Sequence, residues 1–501
     1  MKYFLKASWP FILLAALSLI IHFSFLSYPS QVVFDEVHFG KFVAAYSTGQ
    51  YYFDIHPPLG KLMIAGFTKL AGVNPVFDFI QIGENLPADT LLAMRFLPAL
   101  FGALFVLAFS WLAWLATRDK KIALLAGFLI LLDNAFLVQS KFILVDIFML
   151  FFEVLTLCFF FLWQRQKSFS ARWFGYLLLT AIFFGLTISV KWTGLATIGI
   201  IGIVLLAKIF SKKLTNYLSD NFVVARSPGS SEATKQSRDI AAIHKIAALP
   251  LVARKDKIIE AFVGFLTLFL IGFIIYLVPF YIHFQLLPRS GPGDAFMSRQ
   301  FQQELQYGRA NIYQPLTFWQ KFAELNKTMY TANAGLIAEH PFGSKWYNWP
   351  LNSKPVYYWN RDVFPDLPGW QAKIFFSGNP ALWFMATVGI IFVLIKLTTK
   401  KGRRDFGPIF YLLLLAYFAN LLPFILVKRV AFLYHYLPSA IYANLILALL
   451  LAKLWSKEKN IFAATVILIV LGFILLSPLS YGWPMPPQIN KIEISVINFF
   501  N

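Results

Sequence analysis

LLAMRFLPALFGALFVLAFSWLAWLAT, residues 91–117, runs directly into RDKK, residues 118–121. Arg95 is the only charged residue in the apolar stretch. As a helix rising about 1.5 Å per residue it is about 40 Å long, enough to cross a hydrocarbon core about 30 Å thick. The basic cluster that ends it marks a cytoplasmic boundary, because Lys and Arg accumulate in inner loops. The stretch therefore reads as a membrane helix with Arg95 at its outer end and Arg118 at its inner end.

The same pattern recurs along the chain. Apolar periodicity and length predict about eleven spans: 9–27, 91–117, 121–138, 143–163, 173–190, 194–210, 258–282, 380–397, 407–427, 432–452 and 461–479. The 501 residues are 58% hydrophobic and 14% charged, with 55 Phe; soluble proteins carry about 25% charged residues. This excludes a soluble enzyme, a disordered chain and a disulfide scaffold. The single cysteine, Cys158, excludes an intrachain disulfide, and no His/Cys cluster suggests structural zinc. The net charge of +20 lies in short inter-span loops, not along one stripe, so it reads as loop bias in a bilayer protein and no nucleic-acid partner is expected. The expected fold is an all-α polytopic membrane protein.

Lys2 and Lys6 place the N-terminus in the cytoplasm, and an apolar run of about 18 residues without an A-x-A-like cleavage site favours a retained first anchor over a cleaved signal. Alternation then puts loops 28–90 and 284–379 outside, with the Ser-rich, basic insert 211–257 inside. Three segments follow: 1–283, carrying the first outer loop and the insert; 284–379, an outer segment; and 380–501, the last spans and an outer tail.

With sidedness assigned, ionisable residues far apart in the chain fall at one depth. Asp35 and Glu36 lie just beyond the first span. Arg95, Asp133, Asp146, Lys191, Arg429 and His435 sit at the outer ends of later ones. Charges at membrane depth are costly and mark function, although helix-end cations also snorkel to water. Such a set suits transfer of a sugar from a lipid phosphate. Cations hold the phosphate and take up the charge that develops on it, and one carboxylate accepts the proton of the acceptor hydroxyl. A single displacement of this kind inverts the anomeric centre, unlike the two-carboxylate retaining scheme. Asp35 is the candidate base, with a helix N-cap as its structural alternative. Lys191 and Arg429 are candidate phosphate ligands, and Arg95 is a candidate phosphate ligand or site-organising group. His56, ahead of the rigid Pro57-Pro58, is a candidate substrate contact together with His340 and His435. Asp133 and Asp146 stand equally as substrate contacts and as groups bonding backbone at helix ends.

Six blocks in order, FDEVHFGKFVAAYSTGQYYFDIHPPLGKL (34–62), MRFLPALFG (94–102), LLDNAFLVQSKFILVD (131–146), SVKWTG (189–194), HPFGSKWYNWPL (340–351) and FLYHYLPS (432–439), resemble the protein O-mannosyltransferase family. The resemblance implies a GT-C-type, inverting glycosyltransferase with extracytoplasmic loops. It would move mannose from a polyprenyl or dolichyl phosphate to Ser or Thr of secreted or membrane proteins. The family's catalytic Asp corresponds to Asp35, with Glu36 beside it for positioning, and its essential Arg to Arg95. Segment 284–379 is too short for the β-trefoil domain of eukaryotic members, which suggests a prokaryotic-type, cell-membrane member. No cofactor is expected, although Asp35, Glu36 and a His could hold a divalent ion, and dimerisation stays open. The alternative keeps the fold and donor but takes a lipid or cell-wall glycan acceptor, as aminoarabinose and arabinose transferases do. A transporter is disfavoured, because no charge pair is expected at the bilayer midplane.

Overall fold

A computed structural model describes residues 2–218, 251–335 and 339–499. Most of the expected 211–257 insert, residues 219–250, lies outside the described residues. Among these residues nine helices are long and apolar enough to cross a bilayer, and a bent pair makes a tenth. Helix α1 (Lys2–Phe23) adds a shorter apolar run, Trp9–Phe23. The chain is a multi-pass membrane protein.

Every expected span falls on a helix or a bent helix pair, with two revisions. The first ends at Phe23, four residues short of the expected boundary. The third, expected as one span over 121–138, is two helices, bent 60° at their junction. For the elements that position the site, helix α2 is Glu36–Thr48, α3 Leu59–Leu70, α4 Ala88–Thr117, α5 Lys120–Leu131, α6 Asn134–Lys141, α7 Asp146–Gln164, α8 Ala171–Val190 and α9 Leu195–Phe210. The α5–α6 break has a local cause. Asp133 accepts the Ala135 N–H at 3.1 Å and so caps α6, while Asn379 donates to the Leu132 carbonyl at 2.9 Å. Groups freed at a helix break inside a membrane must find such partners.

The first outer loop folds into α2 and α3. Helix α2 stops at Gly49, whose φ of 76° favours glycine. Helix α3 follows Pro57-Pro58 and lies so close to α7 that a Cβ on Gly60 would sit 2.9 Å from Val145. In the second outer segment the helix Phe318–Gly335 is followed by two antiparallel strands, β1 (Val356–Arg361) and β2 (Ala372–Phe376). The described chain is mainly helical, as expected, and the second outer segment adds one hairpin. Alternation in VYYWNR and AKIFF buries Val356, Tyr358, Ile374 and Phe376 against the bundle. The hairpin also braces the first loop. The Phe34 N–H donates to the Tyr358 carbonyl at 3.0 Å, and the Phe34 and Tyr358 rings stack at 4.0 Å. One apolar core joins all three sequence segments, from Leu14 and Phe39 through Tyr358 to Ile446.

Candidate active site

Asp35 stands at the N-cap of α2, but its carboxylate makes no capping hydrogen bond. Burial raises its pKa to about 7. Lys191 pulls the other way, and the Asp146 and Asp54 charges add to the rise. A carboxyl poised near neutrality with its lone pairs uncommitted is suited to accept a proton.

The next residue has the opposite role. Glu36 is fully buried and accepts both Nε and Nη2 of Arg95, at 2.8 and 2.7 Å. It also accepts the N–H groups of Val33, at 2.8 Å, and Ile143, at 2.9 Å. Arg95 spends its remaining donors on the carbonyls of Leu26, Pro29 and Gln31. A guanidinium has five N–H donors, and all of them are taken. Arg95 is thus not free to bind a phosphate, and Glu36 is not free for catalysis. Together they pin the chain on both sides of Asp35: Arg95 takes the site-organising role and not the phosphate contact, and the contact with acceptor or donor expected of Glu36 is corrected.

Lys191 ends α8 in an extended conformation and donates to Asp146, in the first turn of α7, at 2.7 Å. Asp146 is therefore a partner of the candidate cation. Lys191 Nζ also lies 5.5 Å from the Tyr434 ring centroid. A cavity of about 460 Å³ opens here, walled by His56, Lys191, Tyr330, Asn333, Arg429 and His435, with Phe424, Leu426 and Val427 on its apolar side. Asp35 is not in this wall; it neighbours the cavity through the field of Lys191. Burial, with Lys191, Lys61 and Arg429 nearby, holds His56 well below the usual histidine range, so its ring is neutral. His435 is fixed by its own turn, with Nδ1 3.1 Å from the Phe432 nitrogen. Three cationic residues, Lys191, Lys428 and Arg429, with neutral hydrogen-bonding groups and an apolar flank, together suit an anion carried on a hydrocarbon chain.

Two other expected contacts are elsewhere. Asp133 is fully buried, holding the Trp383 indole N–H at 2.8 Å besides capping α6, so it joins helices and touches no open space. His340 is exposed, with its ring edge-on to Phe432 at 5.0 Å, outside the cavity wall.

Dolichyl-phosphate-mannose-protein mannosyltransferase, a family model, matches residues 12–288, more than half of the chain. The chain belongs to this family. A second model, the C-terminal four-span region of protein O-mannosyltransferase, matches residues 318–495. The chain is 33% identical over 296 residues to dolichyl-phosphate-mannose–protein mannosyltransferase 1 of Saccharomyces cerevisiae, covering 58% of this chain and 32% of that one. It is 32% identical over 306 residues to protein O-mannosyltransferase 1 of Drosophila melanogaster, covering 61% and 30%. The matched part thus spans about a third of the length of these curated relatives. Among solved structures, the S. cerevisiae Pmt1-Pmt2 complex bound to the sugar donor aligns with a TM-score of 0.80 at 19% identity, over 97% of this chain and 92% of that one. ArnT from Cupriavidus metallidurans aligns at 0.50 and 15%, over 99% and 70%. These two likenesses establish a GT-C-type fold.

Sequence reasoning passed over several residues of this family member's site. Asp54 and Lys61 form a buried ion pair, and Lys61 also donates to the His56 carbonyl at 2.8 Å. Their signal was available in DIHPPLGK, where the acid and the lysine flank the histidine turn. Tyr330 and Asn333 carried no such signal, because TMYTANAG reads as an ordinary helical stretch.

Proposed function

We propose that this protein transfers mannose from a polyprenyl-phosphate mannose to Ser or Thr hydroxyls of secreted and membrane proteins. The reaction takes place at the extracytoplasmic rim of the cell membrane, with the N-terminus in the cytoplasm. The acceptor oxygen attacks the anomeric carbon from the face opposite the phosphate. The new C–O bond forms as the bond from C1 to the phosphate oxygen breaks, and the configuration inverts. Asp35 takes the hydroxyl proton, and the polyprenyl phosphate leaves with its charge held by Lys191 and Arg429. His56 and His435 are placed to hydrogen-bond sugar hydroxyls. No metal enters the scheme, because the cations of the cavity wall supply the countercharge; turnover is expected to be unchanged in EDTA.

The carrying observation is the Asp35 carboxyl, which caps nothing, has a pKa pushed up to about 7 by burial and lies in the field of Lys191, a residue of the cavity wall. The names of the yeast and fly relatives support the choice of donor and acceptor. The test is transfer from polyprenyl-phosphate mannose to a Ser/Thr peptide by the purified full-length chain. A mannosyl peptide whose anomeric configuration is opposite to that of the donor is expected; hydrolysis alone, or transfer only to lipid, would overturn the reading.

A further inference from the structure

Asn333 lies on the helix Phe318–Gly335, in the second outer segment, and is half-buried against the cavity. Its side chain bonds in three directions. The amide nitrogen donates to the Ile55 carbonyl at 2.8 Å and, within its own helix, to the Met329 carbonyl at 3.0 Å. The amide oxygen accepts from Nη1 of Arg429. Ile55 precedes His56, so one side chain from a third part of the chain ties the histidine turn to the arginine loop. Arg429 needs such a partner. Among the described residues its only other hydrogen bond is a 3.4 Å contact from Nε to the Val430 carbonyl, and no salt bridge is formed to it.

We infer that Asn333 is a positioning residue for the lipid-phosphate donor: it orients the Arg429 guanidinium and fixes the spacing between Arg429 and the His56 turn. The inference rests on the proposed function, because it takes Arg429 as the phosphate ligand. An amide suits this place better than a carboxylate. It holds one guanidinium nitrogen without neutralising it, so the positive charge remains available to an anion. The neighbouring positions make the same wall: Tyr330 and Ala334, three residues before and one after, both line the cavity, as i, i+3, i+4 spacing on one helix face requires. The helix thus serves as the third wall of the donor site, and Asn333 is the point at which it grips the other two.

The test measures binding of a short-chain polyprenyl phosphate to the purified full-length protein, with the unphosphorylated alcohol as control, and the KM and kcat for polyprenyl-phosphate mannose. Asn333→Leu is expected to weaken phosphate binding and raise KM by about tenfold, the scale of one charge-assisted hydrogen bond, while kcat at saturating donor changes less than about threefold. Asn333→Asp, a polar side chain suited to this half-buried position, is expected to weaken binding at least as much, because it neutralises Arg429. The alcohol should bind all variants alike. In an Arg429→Gln background, Asn333→Leu should add a much smaller loss, under about twofold, since the bond to Arg429 is already gone and only the tie to the Ile55 carbonyl is left to lose. A purely structural asparagine would instead give losses that multiply. Multiplying losses, or binding within twofold of wild type in both folded variants, would overturn the role of Asn333 while leaving the proposed function intact. Wild-type protein that does not distinguish the phosphate from the alcohol would overturn both.

Discussion

Glu36 and Arg95 form a closed region, and Asp35, Lys191 and Arg429 an open one, although the two begin at adjacent residues. In the closed region every donor of the guanidinium and both carboxylate oxygens are committed within a sealed interior. In the open region the Asp35 carboxylate caps nothing, and Arg429 faces a cavity with a single firm partner. A charge that is buried and fully bonded is architecture. A charge left with unused bonding capacity beside a cavity is available for chemistry. The closed region makes the open one possible, because pinning Glu36 holds the α2 N-terminus and with it Asp35.

The difference can be broken most sharply at Asp35. Asp35→Asn is expected to lower kcat by about 10²–10⁴, the usual worth of a general base, with polyprenyl phosphate still bound. Because the raised pKa means that the folded state disfavours the ionised form, Asn should leave the protein at least as stable as wild type above pH 7. Loss of the fold along with activity would place Asp35 in the closed region.

Arg95→Met should do the reverse. Removing one partner of a buried pair costs about 3–5 kcal/mol, so thermal unfolding in detergent should begin well below the wild-type temperature. A stable Arg95→Met protein that had lost only donor binding would return Arg95 to the open region. Arg429→Gln sharpens the contrast between the two arginines. It should weaken polyprenyl phosphate binding by about tenfold or more, the scale of a lost charge-assisted contact, with unfolding temperature nearly unchanged.

The smallest effect is a pH dependence. Asp35 must be ionised to accept a proton, and its pKa lies near 7 where an ordinary aspartate lies near 3.8. Activity per enzyme, as kcat/KM, is therefore expected to rise about tenfold per unit below pH 7 and to level off above it. The limb should disappear in the residual activity of Asp35→Asn; its persistence would assign the titration to another group.

Much of this architecture was legible before folding. The spans follow from apolar length, which is a property of consecutive residues, and the structure places a helix under each of them. The break at Asp133 was not legible as a break. It depends on Asn379, distant in sequence, reaching the Leu132 carbonyl. The hairpin over 356–376 was missed because its alternation is short and embedded in a Trp- and Tyr-rich segment that read equally well as interfacial loop. Among the candidate site residues, Asp35, Lys191, Arg429 and His435 stood out by residue type and depth, and His56 by the rigid Pro57-Pro58 turn that follows it. Depth alone gave Arg95 and Arg429 the same role, since both are arginines at outer ends.

The amino-acid order by itself determined that this chain lives in a bilayer, which ends of its helices carry ionisable groups, and which family it resembles. These depend on hydrophobic length and on motifs contiguous in the chain. Only the tertiary structure decided which charges are spent on one another and which are left over. That outcome rests on whether a distant carbonyl, carboxylate or amide comes within about 3 Å of a given donor, a distance that no local stretch of sequence encodes.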